Sequence, residues 1–264
     1  MAKPMSRVLI FGATSAIAAQ VARRYAARGA RLYLVGRDRG KLERLAARLG
    51  PAIVGVCAAD LDDTGAAAGL VGNAVAALGG LDLAIIAQGL LGDQLASERD
   101  YAAAERVVRT NLLSVVALLV PLAQHLEAAA ALNQPEQAAA GGGAGAIAVL
   151  SSVAGDRGRP RNYTYGAAKG ALNVYLQGLR TRLWARGIAV HTLKLGPVDT
   201  PMTADHRKTL VFARAETVAD GVVAAIDRGR GGATYLPWFW RPIMATVRRL
   251  PEPVLQRLSF LAGR

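Results

Sequence analysis

Residues 7–28 read RVLIFGATSAIAAQVARRYAAR. An apolar run of five residues ends at Gly12, a turn of small residues follows, and a helix-like stretch of alanines and arginines begins near Ser15. Gly12 can supply the permissive dihedral of a sharp strand exit, and Thr14 or Ser15 is a natural helix cap. A strand, a tight turn and a helix amino terminus together make an anion site, because unpaired N–H groups and the helix dipole face the ligand. Thr14 and Ser15 can donate hydroxyls, and Ala16 and Ala18 add only a methyl where approach is close. An ordinary capped helix would use the same residues, so the stretch speaks to the fold before it speaks to a ligand.

Outward from it, the runs RVLIF, RLYLVG, AIVGVCA, LDLAIIA, AIAVLSS, IAVHTLKL and ATYLP read as strands. Helical patterns lie between them, near 15–28, 39–49, 64–79, 101–127, 163–187 and 216–228. That alternation predicts an α/β fold, a single doubly wound domain whose seven-stranded parallel sheet is flanked by helices, since each right-handed crossover carries one helix over the sheet. Residues 128–146, AAAALNQPEQAAAGGGAGA, are low in complexity and read as a flexible connection. A helix-to-strand connection lies at the amino ends of the strands, remote from a ligand bound beyond the carboxyl ends.

The 264 residues are 52% hydrophobic, enough for a substantial core. The single Cys57 sits in an apolar run, which excludes a disulfide framework and fits a reducing cytoplasm. His125, His191 and His206 have no metal-ligand spacing, so no metal site is expected. The formal charge of +13 is spread along helix-like segments rather than clustered, which argues against nucleic acid as a partner. The first residues lack a signal-peptide pattern, and a cytoplasmic location is expected. The apolar stretch 110–126 contains Asn111, Ser114, Pro121 and Gln124 and reads as a helix buried between protein surfaces rather than a membrane span.

After the second strand comes Gly36-Arg37-Asp38. An acidic residue at the strand end would bind the ribose hydroxyls of NAD, whereas an arginine suits the 2′-phosphate of NADP. Arg37 thus favours NADP(H). Asp60, at the end of the third strand, can accept from an adenine amino group or cap the next turn.

Tyr165-Gly166-Ala167-Ala168-Lys169 carries the strongest chemical signal. Residues four apart share a helix face, so the Lys169 ammonium can favour the ionised phenol of Tyr165. Proton transfer at a carbonyl needs such tuning, because a phenol near pKa 10 is a poor acid or base at neutral pH. With five lysines against twenty-seven arginines in the chain, lysine is the unexpected choice for a merely solvated position. Ser152 ends the fifth strand thirteen residues before Tyr165.

The serine-to-tyrosine spacing, the YxxxK pair and Asn111 in RTNLLS resemble the short-chain dehydrogenases/reductases, in order and over nearly all of residues 6–236. The resemblance implies a Rossmann-type domain over 1–236 and a catalytic set of Asn111, Ser152, Tyr165 and Lys169. In it the tyrosine exchanges a proton with the substrate oxygen, the serine orients that oxygen, the lysine holds the nicotinamide ribose, and the asparagine supports a water-linked proton path. It further implies cofactor contacts at Gly12, Thr14, Ser15, Ile17, Arg37, Asp60, Leu61, Ala87, Gly89, Val198 and Thr200, with Thr200 near the nicotinamide carboxamide, and a homodimer or homotetramer. The chain departs from the family pattern at Ala16 and Ala18, at Ala87-Gln88-Gly89, and at Leu195-Gly196, where proline is displaced to Pro197. No departure removes a charge or a proton donor.

Residues 202–215, which follow the sixth strand, are expected to help decide the substrate. The tail 237–264 combines Trp238, Phe239 and Trp240 with interleaved arginines. It reads as a subunit-contact or core-covering segment, as an arm at the inner face of a membrane, or as a substrate lid. Part of the chain is also similar to reductases of polyprenyl-phosphoryl keto-sugars, which implies a lipid-linked carbonyl substrate beside the more general small-molecule one. The expected function is an NADP-dependent oxidoreductase acting on a carbonyl or secondary alcohol; the alternative is a catalytically silent nucleotide-binding regulatory or scaffold protein on the same fold.

Overall fold

The computed structural model describes residues 6–132, 144–204, 208–209 and 211–257. Its strands are β1 (Arg7–Phe11), β2 (Arg31–Gly36), β3 (Ile53–Ala58), β4 (Leu83–Ile86), β5 (Gly145–Ser152), β6 (Ile188–Leu195), the two-residue β7 (Val198–Asp199) and β8 (Ala213–Arg214), and β9 (Gly232–Leu236). Seven form one parallel sheet in the order β3-β2-β1-β4-β5-β6-β9, and β7 pairs with β8 beside it. The expected seven-stranded, doubly wound sheet is what the chain forms.

Alternation within β1 explains why the sheet is covered on both faces. Val8 and Ile10 enter one apolar layer with α1 (Ala16–Ala27), α2 (Arg39–Leu49) and the later helix Ala215–Asp227. Leu9 and Phe11 enter the other with α3 (Ala67–Leu78) and the helices Ser114–Leu132 and Tyr163–Trp184. All four side chains are fully buried, so the strand must be apolar throughout. At the amino ends of β1 and β4, buried Asp82 accepts from Arg7 Nε (3.1 Å), Arg7 Nη2 (2.8 Å) and Ser6 Oγ (2.8 Å). At the carboxyl ends, the chain has gone from β1 to β2 on one side and returns to β4 on the other, which opens a crevice there.

Between β4 and β5 lie α4 (Gln94–Ser97), α5 (Tyr101–Val108) and α6 (Ser114–Leu132). A π-helical turn, Arg109–Leu113, joins α5 to α6. α6 runs to Leu132, five residues beyond the expected end at 127, because Ala128–Leu132 are strong helix formers. Residues 128–132 of the expected connection are thus helical, and its residues 133–143 lie outside those described. Leu118, Leu119, Leu122 and Leu126 of α6 are buried, as expected of a helix packed between protein surfaces.

α7 (Tyr163–Trp184) stops three residues before the expected 187, where Gly187 takes a positive φ of 67°. α8 spans Ala215–Asp227. The tail, for which no helix was expected, forms α9 (Trp240–Arg249) and α10 (Glu252–Arg257). Trp240 and Met244 of α9 are buried against Val153, the residue after Ser152, and burying Met244 contributes roughly 2 kcal/mol.

Candidate active site

Two neighbouring cavities open at the carboxyl edge of the sheet. The smaller, about 260 Å³, is lined by Gly12, Thr14, Ser15, Arg37, Asp60, Leu61, Ala87 and Gly89. These eight expected cofactor contacts come from four separate turns, and the fold brings them together. Gly12 has φ +69°, and a Cβ there would lie 2.6 Å from the Gln88 amide nitrogen. The turn is therefore closed to any larger residue. Ser15 Oγ caps α1 by accepting from Ala18 N–H at 3.1 Å, so the capped-helix reading and the cleft-lining one hold for the same residue. Asp60 likewise accepts from Asp62 N–H (3.1 Å) while it lines the cleft.

Lys41 and Asp38 also line this cleft, beside Arg37, and sequence reasoning missed Lys41. Its signal was present: Asp38 caps α2 by accepting from Lys41 N–H at 2.9 Å, which turns residue 41 back toward the strand end.

The larger cavity, about 570 Å³, is lined by the expected Ile17, Ser152, Tyr165, Val198 and Thr200. Met202 borders both cavities. Tyr165 and Lys169 lie one turn apart on α7, with Lys169 Nζ 5.7 Å from the phenol ring centroid. Lys169 is buried and donates to the Leu150 carbonyl at 3.3 Å. Ser152, at the end of β5, accepts from Ala154 N–H at 3.1 Å, donates to the Leu195 carbonyl at 3.4 Å, and lies near enough to the phenol to lower its pKa.

Asn111 sits fully buried in the π turn. Its Nδ2 donates to the carbonyls of Leu90 (2.6 Å) and Val107 (2.8 Å), and its Oδ1 accepts from Leu90 N–H (3.2 Å). The widened turn is a feature that clusters at functional sites. A methyl on Gly89 would stand 3.1 Å from Asn111 Oδ1 and 3.7 Å from Lys169 Nζ, so Gly89 lies between the two side chains and leaves that space open.

The electrostatics differ from expectation in one respect. Burial pushes the Tyr165 phenol up to about 12, against the smaller lowering effects of the Ser152 hydrogen bond and the Arg159 charge. Burial also pushes the Lys169 ammonium down to about 8. Ser152 and Arg159 lower the phenol, and desolvation of the charged form exceeds both.

Several side chains of the larger cavity were not anticipated individually. Arg159, Arg161 and Asn162 come from the loop between β5 and α7, and Leu91 from the segment after β4. Met202, Thr203, Thr209, Val211 and Phe212 belong to the segment 202–215 from which substrate contacts were expected, of which 205–207 and 210 lie outside the described residues.

The sequence matches the short chain dehydrogenase family over residues 6–210. It is 35% identical over 254 residues to an uncharacterized oxidoreductase of Mycobacterium tuberculosis, covering 95% of this chain and 96% of the relative. It is 36% identical over 262 residues to an uncharacterized oxidoreductase in the mprA 5′ region of Streptomyces coelicolor, covering 97% of this chain and 96% of that one. In structure it resembles a short chain dehydrogenase from Burkholderia cenocepacia solved in complex with NADP, with a TM-score of 0.78, 20% identity, and coverage of 97% of this chain and 98% of the other. With its fold, its paired clefts and its sequence in agreement, the chain belongs to the short chain dehydrogenase family.

Proposed function

We propose that this chain is an NADP(H)-dependent oxidoreductase that interconverts a carbonyl compound and a secondary alcohol, with Tyr165 as proton donor and acceptor. The observation that carries the reading is the meeting of Tyr165 and Ser152 in the wall of one cavity, with Lys169 one helical turn behind the phenol.

The residues fit a nicotinamide dinucleotide. The amino end of α1 opens into the smaller cleft behind Gly12, a geometry suited to phosphate. Lys169 Nζ has three N–H groups and donates one to Leu150, which leaves donors for ribose hydroxyls. Arg37 and Lys41 line the same cleft and together favour a 2′-phosphate. When bound, NADPH supplies the hydride that reaches the carbonyl carbon. Tyr165 donates its phenolic proton to the carbonyl oxygen as charge develops there, and Ser152 Oγ holds that oxygen in line. In the reverse direction the phenolate accepts the alcohol proton. Asn111 Oδ1 keeps a second lone pair for a water that passes protons toward Lys169.

Leu91, Val211 and Phe212 give the substrate cavity an apolar wall, which supports a substrate with an apolar portion, including a lipid-linked keto-sugar. Exposed Trp238, followed by Arg241, Arg248 and Arg249 on α9, supports peripheral contact with an anionic membrane.

The test is NADPH consumption, read at the nicotinamide absorbance, against a panel of carbonyl compounds from small aldehydes to keto-sugars. Wild-type protein turns over at least one of them. Tyr165→Phe loses about 10²- to 10⁴-fold in rate while binding NADPH as before. Wild-type activity in that variant would sink the mechanism.

A further inference from the structure

The cavity that contains Tyr165 and Ser152 is apolar over most of its wall, yet among the described residues two cations line it, Arg159 and Arg161, and no carboxylate does. Arg159 Nε is fully buried and has no hydrogen-bond partner among the described residues. The carboxylate that acts on Arg159 through space, Asp156, is committed elsewhere: it accepts from Lys194 Nζ and from the Tyr235 hydroxyl, the latter at 2.6 Å. The protein thus keeps a half-buried guanidinium whose Nε, among the described residues, lacks the acceptor that a buried N–H ordinarily has.

Position adds to the argument. Arg159 and Tyr165 act on one another electrostatically, so the guanidinium stands near the phenol that would exchange the proton. The unpartnered Nε is half of the side-on N–H pair with which arginine grips two oxygens of one carboxylate or phosphate. Burial lowers the pKa of Arg159, but an arginine does not lose its proton in a protein, so a charge remains for a ligand to meet.

We propose that Arg159 recognises an oxyanion, a phosphate or a carboxylate, carried by the same molecule as the reacting carbonyl, with Arg161 as a second and more exposed contact. The proposal rests on the reading of this cavity as the carbonyl site. It narrows the substrate class to carbonyl compounds bearing a negative charge, and it gives the loop between β5 and α7 two tasks, supply of the oxyanion contact and support of Ser152.

The test is titration calorimetry of the full-length protein, with and without NADP⁺, using benzyl phosphate, phenylacetate and benzyl alcohol as probes. At least one anionic probe binds about tenfold or more tightly than benzyl alcohol, Arg159→Gln abolishes that preference, and Arg161→Gln weakens it less. Which anionic probe wins separates phosphate from carboxylate. Arg159→Lys keeps the charge without the fork and serves if the glutamine variant does not fold: it loses affinity for the anionic probe and retains that for benzyl alcohol. Equal binding of all three probes, or a preference that survives in folded Arg159→Gln, overturns the proposal. Failure of the oxidoreductase reading shows separately, as no turnover of NADPH with any ketone, because the anion preference is read without turnover.

Discussion

Lys169 Nζ stands 5.7 Å from the centroid of the Tyr165 ring, and burial inverts the usual order in which the two groups lose their protons. The lysine, pushed down to about 8, deprotonates before the tyrosine, pushed up to about 12.

That inversion predicts an alkaline limit set by the lysine. Tyr165 stays protonated through the neutral range and remains competent to donate, whereas Lys169 loses its charge as the pH rises through about 8. NADPH affinity therefore weakens above that pH in the wild type and in Tyr165→Phe, and Lys169→Met lacks the transition. Fluorescence titrations of NADPH from pH 6 to pH 10 read all three, and an affinity that is flat through pH 10 in the wild type contradicts the assignment.

Replacing the lysine outright acts on binding and rate together. Lys169→Met lowers both cofactor affinity and turnover, by about tenfold or more each, since one ammonium serves ribose and phenol. Lys169→Arg fails as well, because the planar guanidinium does not match the buried slot in which Nζ reaches the Leu150 carbonyl. A variant with reduced turnover and unchanged NADPH affinity would leave the ribose role without support.

Cofactor choice follows from charge at the end of β2. Arg37→Glu shifts the ratio of kcat/KM for NADPH over NADH toward NADH by about tenfold or more, and Lys41→Glu adds to the shift. An unchanged ratio in both variants would move 2′-phosphate recognition to Ser15 or Arg39.

A separate prediction concerns acid stability. Burial, helped by the charges of Arg180 and Arg228, holds the His191 imidazole down to about 4. As the pH falls below the ordinary histidine value the unfolded chain gains a proton that the native chain refuses, so stability is present above about pH 6.5 and drains away toward pH 4. Between pH 7 and pH 5 the loss attributable to this one residue is roughly 2 kcal/mol. Urea denaturation at the two pH values measures it, and His191→Gln shows a correspondingly smaller drop; equal drops in both proteins would refute the linkage.

Membrane contact is the last prediction. Full-length protein sediments with vesicles containing anionic lipid at low salt and is released as salt rises. Trp238→Ser, at a side chain 77% exposed, weakens that association without disturbing the fold. No sedimentation of the wild type at low salt would remove the interfacial reading.

The sheet was readable in the sequence because each strand is a short apolar run between helical periods, and because β1 with Gly12 and Ser15 states its own strand, turn and helix. The grouping of Tyr165 with Lys169 was readable from helical geometry alone. Arg159 was not, because its neighbourhood depends on how a loop returns to the cavity beside Phe212, far along the chain. The sign of the Tyr165 shift was misread for a related reason: spacing shows who is near whom, but not how much water is left between them. The docking of the tail was hidden too, since it depends on a space at Gly196 that only the folded chain defines.

That space has a consequence for recombination with relatives. A Cβ at residue 196 would overlap the Trp240 indole, and Met244, one turn along the same helix, covers Val153 beside Ser152. The family match stops at residue 210, yet β9 and α9 lie beyond it. A chimera joined near 210 would separate the glycine from the tryptophan it accommodates, and a donor half carrying alanine at 196 would displace the helix that backs the serine loop. Gly196 and Trp240 must be exchanged together, so the workable junctions fall before β6 or after α9.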